Sequence, residues 1–495
     1  MGLRDMMAKR KEYSSIKVNM VLNAVKGLIS VVFPLISFPY VFRILGVDNI
    51  GKYNFSNSVI SYFILLASLG IHTYAVREGA RIRGDSIRLK HFADEMFTIN
   101  VASTAASYCL LGVLVLMVGK FQEYKWLLFI LSFQIAFKTI GIEWIYSIYE
   151  DYLYITIRSI IFQLLSLILL LTLVKTETDI NAYAAITVIS GAGANILNYI
   201  HAKKYCKVKL AKPVEWKKHI KPIFIFFGMT VAVTLYVNSD ITILGFLCGD
   251  RVVGIYSVST KIYTIVKTVL SSVIVVSIPR LSALYGEGRP NDFILVAEDI
   301  YKLLLSIAIP SIVGVILLRK EIVNIVSGKE YISSESSLFV LSIALFFCLA
   351  SWFWGQCILV IFQMEQDVFK ATCVSALVNI GLNFIFIPWG KENAAAFTTL
   401  LAELLSYIWC KHKSSKIIKI KGIGQTICKI MWGCIGIVTV KNVIFRLIKE
   451  PMTEFLLTIT MSVIIYFLIE VVIKNEEILN IAREIKGKIS LFKKR

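Results

Sequence analysis

Residues 18–42 read VNMVLNAVKGLISVVFPLISFPYVF, and this stretch predicts a membrane-spanning helix. It is longer than the roughly 20 apolar residues that an α-helix needs to cross a bilayer, and it holds a single charge, Lys26. An ammonium at the centre of such a helix costs about 2.5–3.5 kcal/mol, so a lysine there normally faces a watery cavity, an opposite charge or a substrate. Lys138, Lys261 and Lys267 lie within similar apolar runs.

The composition extends this reading to the whole chain. Of its 495 residues 57% are hydrophobic, and the mean hydropathy is +0.72, far more apolar surface than one water-soluble core could bury. The first span follows a basic, polar start and is too long for a signal peptide, so we expect it to remain as an anchor. The nine Cys include no C-x-x-C pair, and neither a disulfide framework nor a zinc site is expected.

We therefore predict an all-α integral membrane protein with about fourteen transmembrane helices. The predicted spans are 16–42, 55–76, 94–118, 126–148, 153–174, 181–202, 221–247, 253–279, 299–318, 336–361, 369–389, 394–410, 425–447 and 453–473. If both termini are cytoplasmic, most Lys and Arg outside the spans lie on the cytoplasmic side, as the positive-inside rule requires. The net charge of +20 then reflects orientation and contact with anionic membrane lipid, and it does not indicate nucleic acid.

An internal repeat predicts the domain organisation. FRILGVDNIGKYNFSNSVISYF (42–63) resembles ITILGFLCGDRVVGIYSVSTKIYTIV (241–266), and two later pairs of segments match at similar offsets. Six helices is an even number, so the copies insert with the same orientation, as in transporters whose halves rock about a midplane site. The predicted parts are an amino-terminal lobe (1–205), a carboxyl-terminal lobe (206–412), two extra helices (413–475) and a basic cytoplasmic tail (476–495).

Polar faces on spans 1, 2, 7 and 8 indicate where a cavity would lie. At 100° per residue, small polar side chains and lysines fall on one side of each of these helices, and the repeat pairs 1 with 7 and 2 with 8. The candidate cavity residues are Asn19, Asn23, Lys26, Asn57, Asn238, Lys261 and Lys267. Small polar residues also serve as contacts between membrane helices, and that alternative stays open for the serines and threonines.

Several intramembrane charges have competing interpretations. Asp240 lies at the predicted depth of Lys261, so the two could form a structural ion pair, and Glu403 could be a proton carrier or the partner of a lysine. A pair between Glu143 and Arg158 is expected to be structural, and Lys138 lies outside the cavity spans. The remaining intramembrane charges that we considered, Lys441 and Glu470, are close enough to helix ends to snorkel.

Sequence motifs for catalysis are absent. The chain contains no G-x-x-x-x-G-K-[ST] phosphate loop, no H-E-x-x-H and no G-x-S-x-G, and its five His are dispersed. We therefore expect a protein that is not an enzyme, with no catalytic residues, no metal site and no cofactor.

Three segments resemble one known family. Residues 33–85, GIEWIYSIYEDYLYITIRS (141–159) and KPIFIFFGMTVAVTLYVNSDITILGFLCGD (221–250) look like segments of the polysaccharide repeat-unit flippases that serve O-antigen and capsule assembly. These flippases belong to the multidrug, oligosaccharidyl-lipid and polysaccharide exporter superfamily. The resemblance implies alternating access of two lobes in a bacterial plasma (inner) membrane. The implied substrate is an undecaprenyl-diphosphate-linked glycan, and other polysaccharide-assembly proteins are implied partners.

On this resemblance we assign roles to the candidates. Lys26, Lys261 and Lys267 would contact the diphosphate, because amines attract it strongly in a medium of low dielectric constant. The four asparagines would line the path of the sugar. Two alternatives are a drug or cation antiporter of the same superfamily, which would place acidic residues in its cavity, and a membrane polysaccharide polymerase, which would carry a large extramembrane loop.

Overall fold

A computed structural model describes the backbone of residues 3–479 and, from residue 32 onward, all side chains except those of Tyr152 and Met229. Its regular elements are helical, with no strand among residues 3–479. Twelve helical stretches of the described chain are long and apolar enough to cross a membrane. They leave large apolar side chains uncovered, such as Leu377 and Phe384, which are 70% and 60% exposed. Such surfaces suit lipid tails, and the all-α membrane class is confirmed.

The chain forms two compact units, Met1–Gly254 and Ile255–Arg495. The helices of the first unit are α1 (Leu3–Ser68), α2 (Ile71–Ile82), α3 (Ser86–Met117), α4 (Gly119–Glu123), α5 (Lys125–Ile140), α6 (Glu143–Tyr149), α7 (Tyr152–Leu173), α8 (Ile180–Val188), α9 (Ala194–Ala202) and α10 (Trp216–Cys248). A π-helical turn, Ile189–Gly193, joins α8 to α9. Helix α10 packs on α1, and the buried apolar core of this unit includes Met96, Trp144 and Tyr146.

Helix α11 (Asp250–Gly286) begins at the end of the first unit and lies mostly in the second. The helices that follow are α12 (Pro290–Leu317), α13 (Arg319–Ser327), α14 (Ser334–Trp352), α15 (Glu365–Ser414), α16 (Ile423–Leu447) and α17 (Pro451–Val472). Helix α14 continues into a π-helical segment, Phe353–Val360. Leu304, Phe353 and Trp354 belong to the buried core of this unit.

Two of these helices are long enough for two crossings each. Helix α1 has 66 residues and α15 has 50. At 1.5 Å per residue they measure about 75–100 Å, against a hydrocarbon core of about 30 Å. Each bends at a residue with positive φ, Gly46 in α1 (71°) and Lys391 in α15 (47°). The twelve stretches are thus consistent with about fourteen crossings.

Local backbone geometry recurs at the offsets that the sequence repeat predicts. Gly46 and Gly249 have nearly the same conformation, with φ of 71° and 85° and ψ of 171° and 176°. A residue with a side chain rarely adopts this region, so glycine is required at both bends. The two glycines are 203 residues apart, as are Tyr53 and Tyr256.

The residues after these bends make reciprocal contacts within the first unit. A Cβ on Gly51 would meet the backbone oxygen of Asp250 at 1.8 Å, and a Cβ on Gly254 would meet that of Val47 at 2.1 Å. Each residue is 203 positions from its counterpart in the other contact. The backbones that follow the two equivalent bends therefore lie in direct contact, and only glycine fits at both contact positions.

The turn before a long helix has the same geometry in each unit. Glu150 and Gln363, 213 residues apart, have φ of 58° and 60°. The following amides close the same six-residue turn, with Asp151 N donating to Tyr146 O at 3.0 Å and Met364 N donating to Leu359 O at 2.8 Å. This recurrence supports the duplication, while the predicted lobe boundaries at 205 and 412 stay predictions.

The basic segment 203–221 is held against α3 in the first unit. Lys209 N donates a hydrogen bond to Asp94 Oδ1 at 2.8 Å. The segment after α15 is held in the same manner in the second unit, where Lys421 N donates to Glu298 Oε1 of α12 at 2.8 Å. Both segments therefore lie on acidic residues of a neighbouring helix.

Candidate intramembrane functional site

Three of the candidate cavity residues lie outside the described side chains. Asn19, Asn23 and Lys26 precede residue 32 in α1, so their assignment to the cavity stays a prediction.

In the second unit, Lys267 lies among a carboxyl group, a phenol and a thiol. Lys267 Nζ is 5.7 Å from the ring centre of Tyr263, one turn earlier on α11. Tyr263 Oη donates to Glu403 Oε1 of α15 at 3.4 Å. The Cys348 side chain of α14 contacts both Lys267 and Tyr263. We call these four residues the Lys267 cluster.

The Lys267 cluster combines a positive and a negative group in a buried setting. Glu403 is only 6% exposed, and Lys267 is half-buried. Lys267 lies in the electrostatic field of Glu403, but within the described residues it forms no direct salt bridge with a carboxylate. Its ammonium can therefore approach an anion that enters the cluster, with Glu403 as a nearby competitor. The sequence left two roles open for Glu403, a proton carrier or the partner of a lysine, and in the structure Glu403 lies near Lys267.

Lys261 and Asp240 lie in different units. Lys261 is half-buried on α11, six residues before Lys267 and so about 9 Å from it along the axis. Asp240 is buried on α10 of the first unit, near Tyr62. An ion pair between Asp240 and Lys261 stays a prediction, as does the contact of Lys261 with substrate.

In the first unit, Thr242 joins the polar faces predicted on spans 2 and 7. Its Oγ1 lies 3.0 Å from Ser58 Oγ and 3.1 Å from Tyr62 Oη, both on α1. The same hydroxyl donates to Asn238 O at 2.9 Å. Asn238 Nδ2 donates to Thr234 O at 3.0 Å, so the side chains of Asn238 and Thr242 are both hydrogen-bonded to the backbone of α10. The two predicted polar faces meet here.

Asn57 has a partner that the sequence did not indicate. Gln134 Nε2 of α5 donates to Asn57 Oδ1 at 3.3 Å. A single glutamine within an apolar span has no periodic pattern that would assign it to a cavity. Asn57 and Asn238 are both half-buried, and their roles towards a sugar stay predictions.

The predicted structural pair near the ends of spans 4 and 5 is confirmed and extends to Lys138. Arg158 Nη2 lies 3.5 Å from Glu143 Oε1, and Lys138 Nζ donates to Glu143 Oε2 at 2.6 Å. Arg158 also donates to Ala194 O at 3.3 Å and to Asn195 Oδ1 at 3.4 Å. The ammonium of Lys138 is therefore paired with a carboxylate within its own unit.

The expectation that Lys441 and Glu470 snorkel is wrong. Glu470 is 0% exposed. Lys441 donates to Glu321 and to Glu454, each at 2.6 Å. Both charges point into the protein because α16 and α17 pack on each other and α12 packs on α16.

A further buried polar group was missed in α15. Asn383 Nδ2 donates to Asn379 Oδ1 at 3.2 Å, and Thr398 donates to Asn383 across the bend at Lys391. The i, i+4 spacing of the two asparagines within an apolar run is the signal that could have indicated it. Among the described residues, no group of three or more His, Cys, Asp or Glu could hold a metal ion.

The fold defines the class of protein. The structure resembles "Lipid II flippase MurJ, inward closed conformation", with a TM-score of 0.76 at 16% identity, over 92% of this chain and 99% of that one. It also resembles an inward-facing multidrug resistance MATE transporter of the MOP superfamily, with a TM-score of 0.52 at 12% identity, over 79% and 100% of the two chains. The chain therefore shares the multi-pass helical fold of these two structures.

The sequence comparisons give the family. The model described as "Polysaccharide biosynthesis protein" matches residues 16–285, more than half of the chain, and the MatE model matches residues 226–389. The chain belongs to the polysaccharide biosynthesis protein family, which confirms the resemblance found in the sequence.

Two relatives extend over most of the chain. The "Putative O-antigen transporter" of Escherichia coli (strain K12) is 22% identical over 394 residues, covering 79% of this chain and 94% of that protein. "Capsular polysaccharide biosynthesis protein CapF" of Staphylococcus aureus is 22% identical over 372 residues, covering 73% and 89%.

Proposed function

We propose that this protein is a flippase. It moves undecaprenyl-diphosphate-linked oligosaccharide repeat units across the plasma (inner) membrane by alternating access, for the assembly of O-antigen or capsular polysaccharide. The family, the relatives and the shared fold all support this class of substrate. The protein is a transporter and not an enzyme, both of its termini are cytoplasmic, and it works beside other polysaccharide-assembly proteins.

The observation that carries the proposal is the setting of Lys267. A lysine inside a spanning helix that forms a direct salt bridge, as Lys138 does, has a structural reason to be there. Lys267 is held by a phenol and a thiol, with the carboxylate of Glu403 beyond hydrogen-bonding distance. In a medium of low dielectric constant such an ammonium attracts a diphosphate strongly.

The polar residues of the first unit suit a sugar. Asn57, Asn238 and Thr242 present amides and hydroxyls, which can exchange hydrogen bonds with sugar hydroxyl groups. An oligosaccharide carries many such groups and cannot enter hydrocarbon without replacing their hydration.

The second candidate is a drug or cation antiporter, which the MatE match over residues 226–389 favours. Purified protein in vesicles separates the two functions. A labelled lipid-linked oligosaccharide in one leaflet should become accessible to an impermeant glycosidase on the other side, at a rate well above that of protein-free vesicles. Efflux of cationic dyes without movement of the glycan would establish the antiporter instead.

A further inference from the structure

Helix α17 has an unusual division between its buried and exposed residues. Its five buried residues are all polar or ionisable: Glu454, Thr458, Ser462, Tyr466 and Glu470. They recur every fourth position, so they form a continuous line along a helix that is otherwise strongly apolar. Sixteen residues separate the two carboxyl groups, a rise of about 24 Å within a hydrocarbon core of about 30 Å.

Ordinary contact between membrane helices explains only part of this line. Polar residues that join helices do so by hydrogen-bonding across the interface. Tyr466 does this, since its Oη donates to Ser306 O of α12 at 2.6 Å. Thr458 Oγ1, Ser462 Oγ and Glu470 Oε1 are buried without a hydrogen-bond partner among the described residues. An unsatisfied buried polar atom is costly, so these three atoms point to a ligand.

A cavity lies beside this line in the second unit. Its volume is about 280 Å³, and its polar lining consists of Ser306, Ser311, Lys441, Thr458, Ser462 and Tyr466. Hydroxyls four residues apart on a helix are about 5–6 Å apart, too far for a direct hydrogen bond and suitable for one bridging water. Most of the lining is apolar, so water would bind in this cavity only beside the hydroxyl groups.

Charged groups define the two ends of the line. At one end, Lys441 is shared between Glu454 and Glu321, and the Glu321 side chain is 23% exposed. Protonation of Glu454 would leave Lys441 paired with Glu321, so no charged group would lose its last partner. At the other end, Glu470 Oε2 accepts from Asn475 Nδ2 at 2.6 Å.

The groups that face Glu470 come from three parts of the chain. Tyr466 lies one turn earlier on the same helix. The ionisable groups nearby are Cys434 and Lys429 of α16 and Glu477 after α17. Lys429 Nζ donates to Lys474 O at 3.0 Å and so marks the surface end of the line.

We propose that α17 carries a proton path through the membrane. A proton binds Glu454 at the expense of its salt bridge to Lys441, and passes along water and the hydroxyls of Thr458, Ser462 and Tyr466. Each member accepts one proton and releases one. Glu470 receives the proton at its unpartnered oxygen and releases it to water near Lys429, so no other reactant is needed. As the coupling route for transport, the path rests on the proposed flippase function.

The test uses the full-length protein in vesicles that contain a pH-sensitive dye. Proton flux under an imposed pH gradient and movement of a labelled lipid-linked oligosaccharide are followed together, with and without the glycan. Glu470→Gln should lower proton flux at least about tenfold and abolish the acceleration of glycan movement by the pH gradient, while downhill movement continues. The matched control is Glu476→Gln, an exposed carboxylate near the same end of α17, which should behave as wild type.

A second variant guards against a folding defect. Thr458→Val removes a hydroxyl without changing the shape of the side chain, and it should also lower proton flux several-fold. Proton flux in both variants within twofold of wild type would overturn the path, as would acceleration by a sodium gradient in place of the pH gradient. Proton flux that depends on Glu470 in vesicles without glycan movement would uphold the path and overturn the flippase instead.

Discussion

Lys138 and Lys267 look alike in the sequence and differ in the structure. Each lies in an apolar run, yet Lys138 forms a salt bridge at 2.6 Å with Glu143, which also pairs with Arg158. Lys267 has aromatic and thiol neighbours and only the field of Glu403. Depth in the membrane therefore does not distinguish a lysine in a salt bridge from one without a carboxylate partner among the described residues.

If Lys267 binds the diphosphate, its loss should have the largest effect on transport. We expect Lys267→Gln to slow glycan movement about 100-fold. At an effective dielectric constant of 20, two unit charges 4 Å apart attract by about 4 kcal/mol. A 100-fold lower rate corresponds to about 3 kcal/mol, which is most of this attraction. The measurement is the initial rate in vesicles, normalised to folded protein. Lys267→Arg, which keeps the charge, should retain much of the rate.

Glu403 should have a smaller effect, of a different kind. If it competes with substrate for Lys267, Glu403→Gln should lower the half-saturating glycan concentration and slow turnover, each about tenfold for about 1.4 kcal/mol. Saturation curves for glycan movement separate the two parameters. A rise in the half-saturating concentration would show that Glu403 supports binding and does not compete.

Asn238 should affect only substrates that carry a long sugar. A hydrogen bond contributes about 0.5–1.5 kcal/mol, so Asn238→Ala should weaken movement of the full repeat unit about threefold to tenfold. A lipid diphosphate with a single sugar serves as the control, and its rate should not change. Equal loss with both substrates would remove Asn238 from the sugar path.

Of these substitutions, the one at Arg158 should have the smallest effect on transport, because its main effect is on stability. Its side chain is only 7% exposed, and removal of one partner from a buried pair costs about 3–5 kcal/mol. We expect Arg158→Gln to lower the free energy of unfolding in detergent by about 3 kcal/mol. Transport per folded molecule should remain within twofold. Addition of Glu143→Gln should not recover the stability, because Lys138 then loses its carboxylate partner.

The sequence predicted the class of fold and the polar faces of spans 2 and 7, because apolar length and periodicity are properties of single segments. It did not predict the salt bridge between Lys138 and Glu143. Helix α5 ends at Ile140, and Ile142 has a φ of 36°, so the chain turns and returns Glu143 to Lys138. A helical wheel assumes a continuous helix and places these two side chains differently.

The line on α17 was missed for a related reason. Glu470 is near the end of a predicted span, where an isolated helix would let it reach water. Only the packing of α12, α16 and α17 shows that this face is covered, and the exposed faces of these helices are apolar. Which side of a lipid-facing helix is buried depends on its neighbours and not on its own periodicity.

The most direct test of the central claim compares Lys267→Gln with Lys138→Gln in one assay. Both substitutions remove one intramembrane ammonium, and both proteins are reconstituted alone with a labelled undecaprenyl-diphosphate-linked oligosaccharide. We predict that Lys267→Gln lowers the initial rate about 100-fold and that Lys138→Gln, normalised to folded protein, stays within twofold of wild type. Equal loss in both variants, or a normal rate for Lys267→Gln, would contradict the assignment of Lys267 to the diphosphate.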